Sequence, residues 1–181
     1  MSKVIQAHDL KFKPFIEAAA IAEAVQKMGS ALKVEYQDKN PLLICVLNGA
    51  FVFAADLLRA CDFPCEVAFV RLASYQGSSS TGKVTTIFGL DVPLKNRHVI
   101  VVEDIVDSGL TLSHFLKELT ALQPASLKLA VLLIKPEALQ VDIRPEYFGF
   151  EIPNEFVVGY GLDYDGLCRN LPAIYIKTDE N

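Results

Sequence analysis

The sequence is poor in the residues that build zinc sites and contains no membrane-spanning run. Its 181 residues include three histidines and four cysteines, and no histidine lies near Cys61 and Cys65, the one closely spaced cysteine pair. A closed four-ligand zinc site is therefore hard to assemble, and reduced thiols are expected. No stretch approaches the roughly 18 apolar residues that a span requires. The N-terminal MSKVIQAHDLKFKPF mixes charge into any apolar stretch, unlike a secretory signal, so we expect a cytoplasmic protein without a membrane span.

Basic residues are also in short supply. The chain has 17 Lys and Arg against 22 Asp and Glu, a net charge of −5, which gives no electrostatic reason to expect nucleic acid or an anionic membrane as a partner. An acidic protein that handles phosphates needs local basic side chains, backbone N–H groups or a divalent metal. Hydrophobic residues make up 51% of the chain, which has no repeat, low-complexity tract or linker, so residues 1–181 are predicted to form one domain.

Short apolar runs alternate with helix-like segments. The runs PLLICVLNGA, CEVAFVRLASY, VTTIFGL, HVIVVE and SLKLAVLLIK predict strands, and FVFAADLLRAC and SGLTLSHFLKELTAL predict helices. PFIEAAAIAEAVQKMGSAL predicts an amphipathic helix with Gly29 near its end. Continuous apolar strands between helices are typical of a parallel sheet covered on both faces. The predicted fold is α/β, with a mostly parallel twisted sheet and helices on both faces.

The stretch HVIVVEDIVDSGLTL, residues 98–112, ends an apolar strand in the acids Glu103, Asp104 and Asp107, just before a predicted helix. Ligands bind beyond the carboxyl ends of parallel strands, and the ends of the neighbouring runs carry Asn48-Gly49 and Lys135. These groups are therefore expected to share one rim of the sheet.

Two interpretations of the acids are open. Asp107 or Ser108 could simply cap the helix, with the other acids solvated. That interpretation leaves Glu103-Asp104 unexplained, because adjacent carboxylates repel each other at a partly dry rim. Alternatively, the N–H groups and hydroxyls of residues 108–111 bind a phosphate, while the carboxylates accept hydrogen bonds from a sugar diol or meet magnesium. A phosphorylated ribose contains both the phosphate and the diol.

The segment VVEDIVDSGLTL closely resembles the 5-phosphoribosyl-1-pyrophosphate (PRPP) loop of the type I phosphoribosyltransferases. With LNGAFVFAADL, RLASY, LLIKP and FGFEIPNEFVVGYGLDYDGLCRNLP, the chain is similar to the hypoxanthine–guanine phosphoribosyltransferases over about residues 42 to 172. The resemblance implies the type I fold, with a small hood built from about residues 1–15 and 150–181. It also implies purine salvage: PRPP and hypoxanthine or guanine give IMP or GMP and pyrophosphate, with Mg²⁺, in a homodimer or homotetramer.

The resemblance implies roles for the PRPP-binding residues. Asp107 would be the general base and part of the ribose-phosphate site. Glu103 and Asp104 would hold the ribose 2′- and 3′-hydroxyls, partly through magnesium. The 5′-phosphate would be bound by Ser108, Gly109, Leu110 and Thr111.

It implies further roles around the base and the leaving group. Lys135 would donate to the purine 6-oxygen, Phe156 would stack on the ring, and Val157 would read the ring through its backbone. Asp163 would lie at the purine site and contact a second magnesium. Pyrophosphate would be bound by Asn48, Gly49 and Arg169. Ser74 and Tyr75 would belong to a mobile loop, SYQGSSSTGK, that closes over the reaction. A cis peptide bond is expected at Leu47-Asn48.

The chain departs from the family pattern at two positions, with Asn48 where many members have Lys or Arg and Leu110 where Lys is common. Backbone N–H groups must then meet phosphate charge at both places. Two other functions compete. An aspartyl phosphotransferase would need D-x-D, whereas Asp104 and Asp107 are three apart. An inactive PRPP-sensing regulator would keep the loop but would not need Lys135, Phe156 and Asp163.

Overall fold

The computed structural model describes residues 3–74, 84–88 and 90–179 and contains two β-sheets and three α-helices in that part of the chain. The helices are α1 (Ala18–Tyr36), α2 (Phe51–Ala60) and α3 (Leu110–Ala121). The strands are β1 (Ile5–Ala7), β2 (Leu10–Ile16), β3 (Leu42–Leu47), β4 (Glu66–Ser74), β5 (Val84–Phe88), β6 (His98–Val106), β7 (Ser126–Ile134), β8 (Tyr147–Glu151), β9 (Val157–Val158) and β10 (Ile174–Thr178). No helix in the described ranges is both long and apolar enough to cross a membrane.

The larger sheet is six-stranded, in the order β5-β4-β3-β6-β7-β8. Five strands run parallel, and β5 pairs antiparallel with β4 at one edge. This arrangement confirms the predicted mostly parallel sheet.

Both faces of this sheet are covered, and the alternation of side chains along β3 shows how. Leu43 and Cys45 are fully buried against residues of α1 and α2, while Ile44 is fully buried on the opposite face against residues of α3 such as Phe115. Burial on both faces explains why the strands are continuously apolar rather than alternating. Each helix conversely buries only the stripe that faces the sheet.

The hood contains the smaller sheet, an antiparallel one in the order β1-β2-β10-β9. It joins the two ends of the chain, as expected. Its core is a separate small cluster around the buried residues Ala7, Phe12 and Val158. Tyr160 fixes the hood to the main body, because its hydroxyl donates to the Asp56 carboxylate of α2 at 2.7 Å.

The first helix differs from its prediction. Pro14–Ile16 belong to β2, and α1 continues to Tyr36, well past Gly29. Gly29 does not end the helix. A Cβ at this position would lie 2.6 Å from the carbonyl oxygen of Ala60, so glycine allows α1 to pack closely against the end of α2.

Candidate active site

The predicted rim exists because β3, β6 and β7 are adjacent and parallel. Leu42–Cys45 of β3 pair with Val99–Val102 of β6, and Val106 of β6 pairs with Ile134 of β7. Asn48-Gly49, the acids that end β6, and Lys135 therefore emerge at the same edge of the sheet.

Two clefts open at this rim. The loop cleft, about 310 Å³, lies on the α3 side and is lined by Val46, Leu47, Leu72, Glu103, Ile105, Val106, Asp107, Ser108, Gly109, Thr111 and Leu112. The hood cleft, about 230 Å³, lies between the rim and the hood and is lined by Gly49, Asp104, Ile105, Asp107, Lys135, Phe156, Val157, Leu162, Asp163 and Arg169. Ile105 and Asp107 line both clefts, so Asp107 stands at their junction. Ile105 and Leu162 were not predicted, because an apolar lining residue has no motif of its own.

The N-terminus of α3 forms one wall of the loop cleft. Its N-cap residue is Gly109, whose φ of 75° is left-handed and therefore suits glycine, and no side chain caps the helix. The Ser108 hydroxyl accepts from the Leu110 N–H only at a long 3.4 Å. The interpretation that Asp107 or Ser108 simply caps the helix, with the other acids solvated, is therefore wrong, and Asp104 is buried as well. The first turn of the helix keeps the electropositive character that favours an anion.

Asp107 is instead paired with Lys135. The Lys135 Nζ donates to Asp107 Oδ2 at 2.9 Å, and the lysine side chain is 7% exposed against 58% for the aspartate. In the described part of the chain this is the only charged partner of Lys135. A buried ammonium and a half-open carboxylate thus face the same cleft, each able to redirect its hydrogen bond to a ligand.

Glu103 and Asp104 point to different clefts and are both poorly solvated. Burial raises the pKa of the Glu103 carboxyl well above its usual range, and the neighbouring Asp104 raises it further. Burial also raises the pKa of Asp104, although the neighbouring Glu103 side chain and the Ile105 N–H, which donates to Asp104 Oδ1 at 2.9 Å, act in the opposite direction. The Glu103 Oε2 is buried and has no hydrogen-bond partner among the described residues. This oxygen lacks the partner that a buried polar atom normally has.

Gly49 lies directly against Asp104. A Cβ built at Gly49 would come within 1.7 Å of Asp104 Oδ2 and 2.5 Å of its Cγ. Only glycine therefore lets the β3–α2 turn and this carboxylate occupy their observed positions. The preceding Leu47-Asn48 peptide bond is cis, as expected.

Asp163 and Arg169 form an ion pair on the hood side. Arg169 Nη2 lies 2.7 Å from Asp163 Oδ1, and its Nη1 donates to the Gly161 carbonyl at 2.7 Å. The other Asp163 oxygen accepts from the Gly166 N–H, also at 2.7 Å. Because each oxygen of Asp163 already accepts one bond, a cation would have to use the remaining lone pairs or meet this residue through water.

Phe156 and Val157 enter the hood cleft from the start of β9. Val157 is buried and paired with Ile176, whereas the Phe156 side chain is 40% exposed. A half-exposed aromatic ring at a cleft can stack on a flat ligand. Ser74 is the last residue of β4, but Tyr75 and residues 76–83 lie outside the described residues, so the predicted closing loop stays a prediction.

A family profile described as a phosphoribosyl transferase domain matches residues 16–165. The chain belongs to the phosphoribosyltransferase family. It is 42% identical over 169 residues to the hypoxanthine-guanine phosphoribosyltransferase of Lactococcus lactis, with 93% of this chain and 92% of that protein covered. It is 43% identical to the Bacillus subtilis protein of the same name, with coverages of 92% and 93%. The structure of a hypoxanthine-guanine phosphoribosyltransferase from Bacillus anthracis is 39% identical and superimposes with a TM-score of 0.86, covering 91% of this chain and 97% of that one.

In this phosphoribosyltransferase, replacing Gly49 should damage the site without unfolding the protein. The added methyl of Gly49→Ala must displace the Asp104 carboxylate, and a displacement of about 1 Å can cost about 10²-fold in catalytic efficiency. We expect a loss of that order in kcat/KM, with a nearly unchanged melting temperature. Val34→Ala is the control, because Val34 is 83% exposed on α1 and lines neither cleft. Wild-type kinetics in Gly49→Ala would contradict the importance of this contact.

Proposed function

We propose that this chain transfers the 5-phosphoribosyl group from PRPP to hypoxanthine, and also to guanine, giving IMP or GMP and pyrophosphate. The observation that carries the proposal is the position of Asp107. It lies where an anion-binding helix end and an aromatic-lined cleft meet, and it is bonded to the buried Lys135. A ligand with a phosphorylated sugar and a flat base would fill both clefts with its sugar–base junction at Asp107.

PRPP occupies the loop cleft and its rim in this proposal. The 5′-phosphate lies at the N-terminus of α3, bound by the backbone and hydroxyls of Ser108, Gly109, Leu110 and Thr111. Glu103 and Asp104 face the ribose hydroxyls. Asn48 and Gly49 present backbone N–H groups to the pyrophosphate, and Arg169 supplies positive charge near Asp104.

The purine occupies the hood cleft. Phe156 stacks on the ring, the Val157 backbone binds its edge, and Asp163 holds Arg169 in place beside it. Lys135 turns its ammonium to the purine 6-oxygen, while Asp107 faces the imidazole side of the base. The ion pair of the free protein is thereby replaced by two contacts with one substrate, so each group keeps a hydrogen-bond partner.

The reaction exchanges one bond at the anomeric carbon of ribose. A purine ring nitrogen forms the new C–N bond as the C–O bond to pyrophosphate breaks, and the bonding electrons leave with pyrophosphate. Asp107 accepts the proton that the imidazole ring loses. Positive charge develops on the ribose in the transition state, where the carboxylates of the rim stabilise it.

Mg²⁺ is part of the proposal. In the ranges that the structure describes, no three His, Cys, Asp or Glu side chains are grouped as a metal site. Magnesium nevertheless fits, because it keeps several waters and commonly takes one or two protein carboxylates together with substrate phosphates. Glu103 Oε2, which has no hydrogen-bond partner in the part of the chain that the structure describes, and the adjacent Asp104 offer such oxygens. Asp163 offers its remaining lone pairs. When bound, the ion would stabilise the charge of the leaving pyrophosphate.

We also propose that residues 1–181 act as one domain with its hood, in the cytoplasm, as a homodimer or homotetramer. Neither nucleic acid nor a membrane is a partner in this proposal, which is consistent with the net charge of −5. Light scattering on the purified chain measures the assembly directly.

The experiment that tests the function is incubation with PRPP, magnesium and one base at a time, followed by chromatography of the nucleotides. IMP from hypoxanthine together with released pyrophosphate is the expected result. PRPP binding without any nucleotide product would favour the inactive sensor instead.

Asp107→Asn should reduce kcat by about 10²–10⁴-fold, the usual contribution of a positioned base, because an amide cannot accept the purine proton. Its oxygen can still accept from Lys135, so PRPP binding and folding should survive, with some loss of stability because an amide does not neutralise the ammonium. Asp142→Asn, at an exposed acid that pairs only with Arg144 among the described residues, is the control. Near-normal turnover in Asp107→Asn would remove the residue from the catalytic role.

Chelation should abolish turnover. The site has acids rather than bases at Glu103, Asp104 and Asp163, so the charge of pyrophosphate needs a cation beyond Arg169. Activity measured in excess chelator, and again after adding magnesium back, tests this expectation. Undiminished activity without free divalent cations would show that protein groups alone neutralise the leaving group.

Lys135 should determine the choice of base. An ammonium only donates, so it suits the 6-oxygen of hypoxanthine or guanine, whereas adenine places an amino donor against it. Sites built on such a hydrogen bond can discriminate by about 10⁴-fold or more. Lys135→Ala should lower kcat/KM for hypoxanthine and reduce the ratio of kcat/KM for hypoxanthine to that for adenine. Lys128→Ala, at the far end of β7, is the control and should change neither value. Adenine use by the wild type within about tenfold of hypoxanthine would exclude this role.

A further inference from the structure

The ring of Phe156 is supported from behind by two other aromatic rings. The Phe12 ring from β2 lies 6.0 Å away between centroids, tilted by 49°. The Tyr164 ring lies 5.6 Å away and meets Phe156 edge-on, at 81°. Phe12 is fully buried and also contacts Tyr164 at 6.3 Å, so the three rings form one cluster. The two supporting rings therefore restrict how Phe156 can tilt at the cleft.

Tyr164 is itself held by the turn between β1 and β2. Its hydroxyl donates to Asp9 Oδ1 at 2.7 Å, across 155 residues of sequence. This bond lowers the pKa of Asp9 and raises that of the Tyr164 hydroxyl, so ionised Asp9 faces a protonated phenol. His8 of the same turn meets the Tyr164 ring edge-on at 5.5 Å. The N-terminal turn thus contacts the tyrosine through both of its residues.

We propose that Asp9 and Tyr164 are positioning residues for the purine: Asp9 fixes Tyr164, and the Tyr164 ring fixes the orientation of Phe156. The proposal rests on the proposed function, in which Phe156 stacks on the base. Neither residue lines the loop cleft or the hood cleft. Because Tyr164 contacts the Phe156 ring, we expect the effect to be selective for the purine half of the substrates. Tyr164 also follows Asp163, which pairs with Arg169, so an effect passed through that pair would weaken PRPP binding as well.

A double-mutant cycle tests this chain of contacts. Tyr164→Phe keeps the ring and removes the hydroxyl, and Asp9→Ala removes the acceptor. Each should raise KM for hypoxanthine and Kd for IMP about two- to fivefold, as expected for one lost hydrogen bond. KM and Kd for PRPP, kcat and the melting temperature should stay close to wild type. The double variant should match the single variants, since all three lack the same bond.

Further variants separate positioning from a general loss of structure. Asp9→Asn keeps an acceptor oxygen and should restore most of the purine affinity. Tyr164→Leu removes the edge-on ring and should raise the purine KM further, about three- to tenfold. Tyr147→Phe is the matched control, because the Tyr147 hydroxyl donates to a carboxylate, Glu35, away from the hood. It should leave the purine KM unchanged.

The outcomes distinguish this inference from the proposed function. Unchanged purine KM and IMP affinity in both Tyr164→Phe and Asp9→Ala would overturn the positioning role. Additive effects in the double variant, or PRPP binding that is weakened as much as purine binding, would also overturn it. If Phe156→Leu raises the purine KM while the Asp9 and Tyr164 variants do not, the positioning role alone fails. Absence of phosphoribosyl transfer in the wild type would overturn the proposed function itself. The Asp9 and Tyr164→Phe variants decide the question even if Tyr164→Leu does not fold.

Discussion

A buried ammonium needs a partner, and this constraint organises the site. Lys135 emerges from the end of a strand that is buried on both faces, and leaving its charge uncompensated there would be costly. Among the described residues Asp107 supplies the compensation, and it can do so because β6 and β7 are adjacent and parallel. The same adjacency places Asp107 at the junction of the two clefts. The ion pair and the geometry of the clefts therefore both follow from the sheet topology.

The rim combines this pair with acids that water can barely reach. Glu103 and Asp104 have raised pKa values because they are buried, and Gly49 brings the β3–α2 turn against the Asp104 carboxylate. Such an arrangement is costly for a folded protein unless ligands or ions complete it, which is typical of a binding site rather than a structural core. The hood completes the enclosure by bringing Phe156 and the Asp163–Arg169 pair to the other side of the cleft.

Much of this arrangement could be predicted from the sequence, because parallel strands have long apolar runs and their carboxyl ends converge. Those two rules place Asn48-Gly49, the acids of β6 and Lys135 at one rim. The sequence does not reveal where α1 begins, because Pro14–Ile16 continue an apolar pattern that suits a strand and a helix equally. Gly29 suggests a helix end, but a glycine is needed there because the backbone packs closely against Ala60, a contact that only the tertiary structure reveals. Likewise, no sequence pattern predicts that Asp9 reaches Tyr164 across 155 residues.

The departures at Asn48 and Leu110 can be understood from the same geometry. In the proposed function, a chain without basic side chains at these two positions binds a polyanion through fixed dipoles, and the structure has an α3 N-terminus without a side-chain cap beside Leu110. Leu110 is 43% exposed, and its apolar side chain cannot bind phosphate, which leaves its backbone N–H for that role in the proposal. At the other end, Asn48 belongs to the cis peptide unit that leads into Gly49, where the missing side chain leaves the backbone open to the rim. Recognition of phosphate by backbone N–H groups depends on their exact placement. In the proposed function, that placement depends on the packing of Gly49 against Asp104 and of α3 against the sheet, more than on any single positive charge.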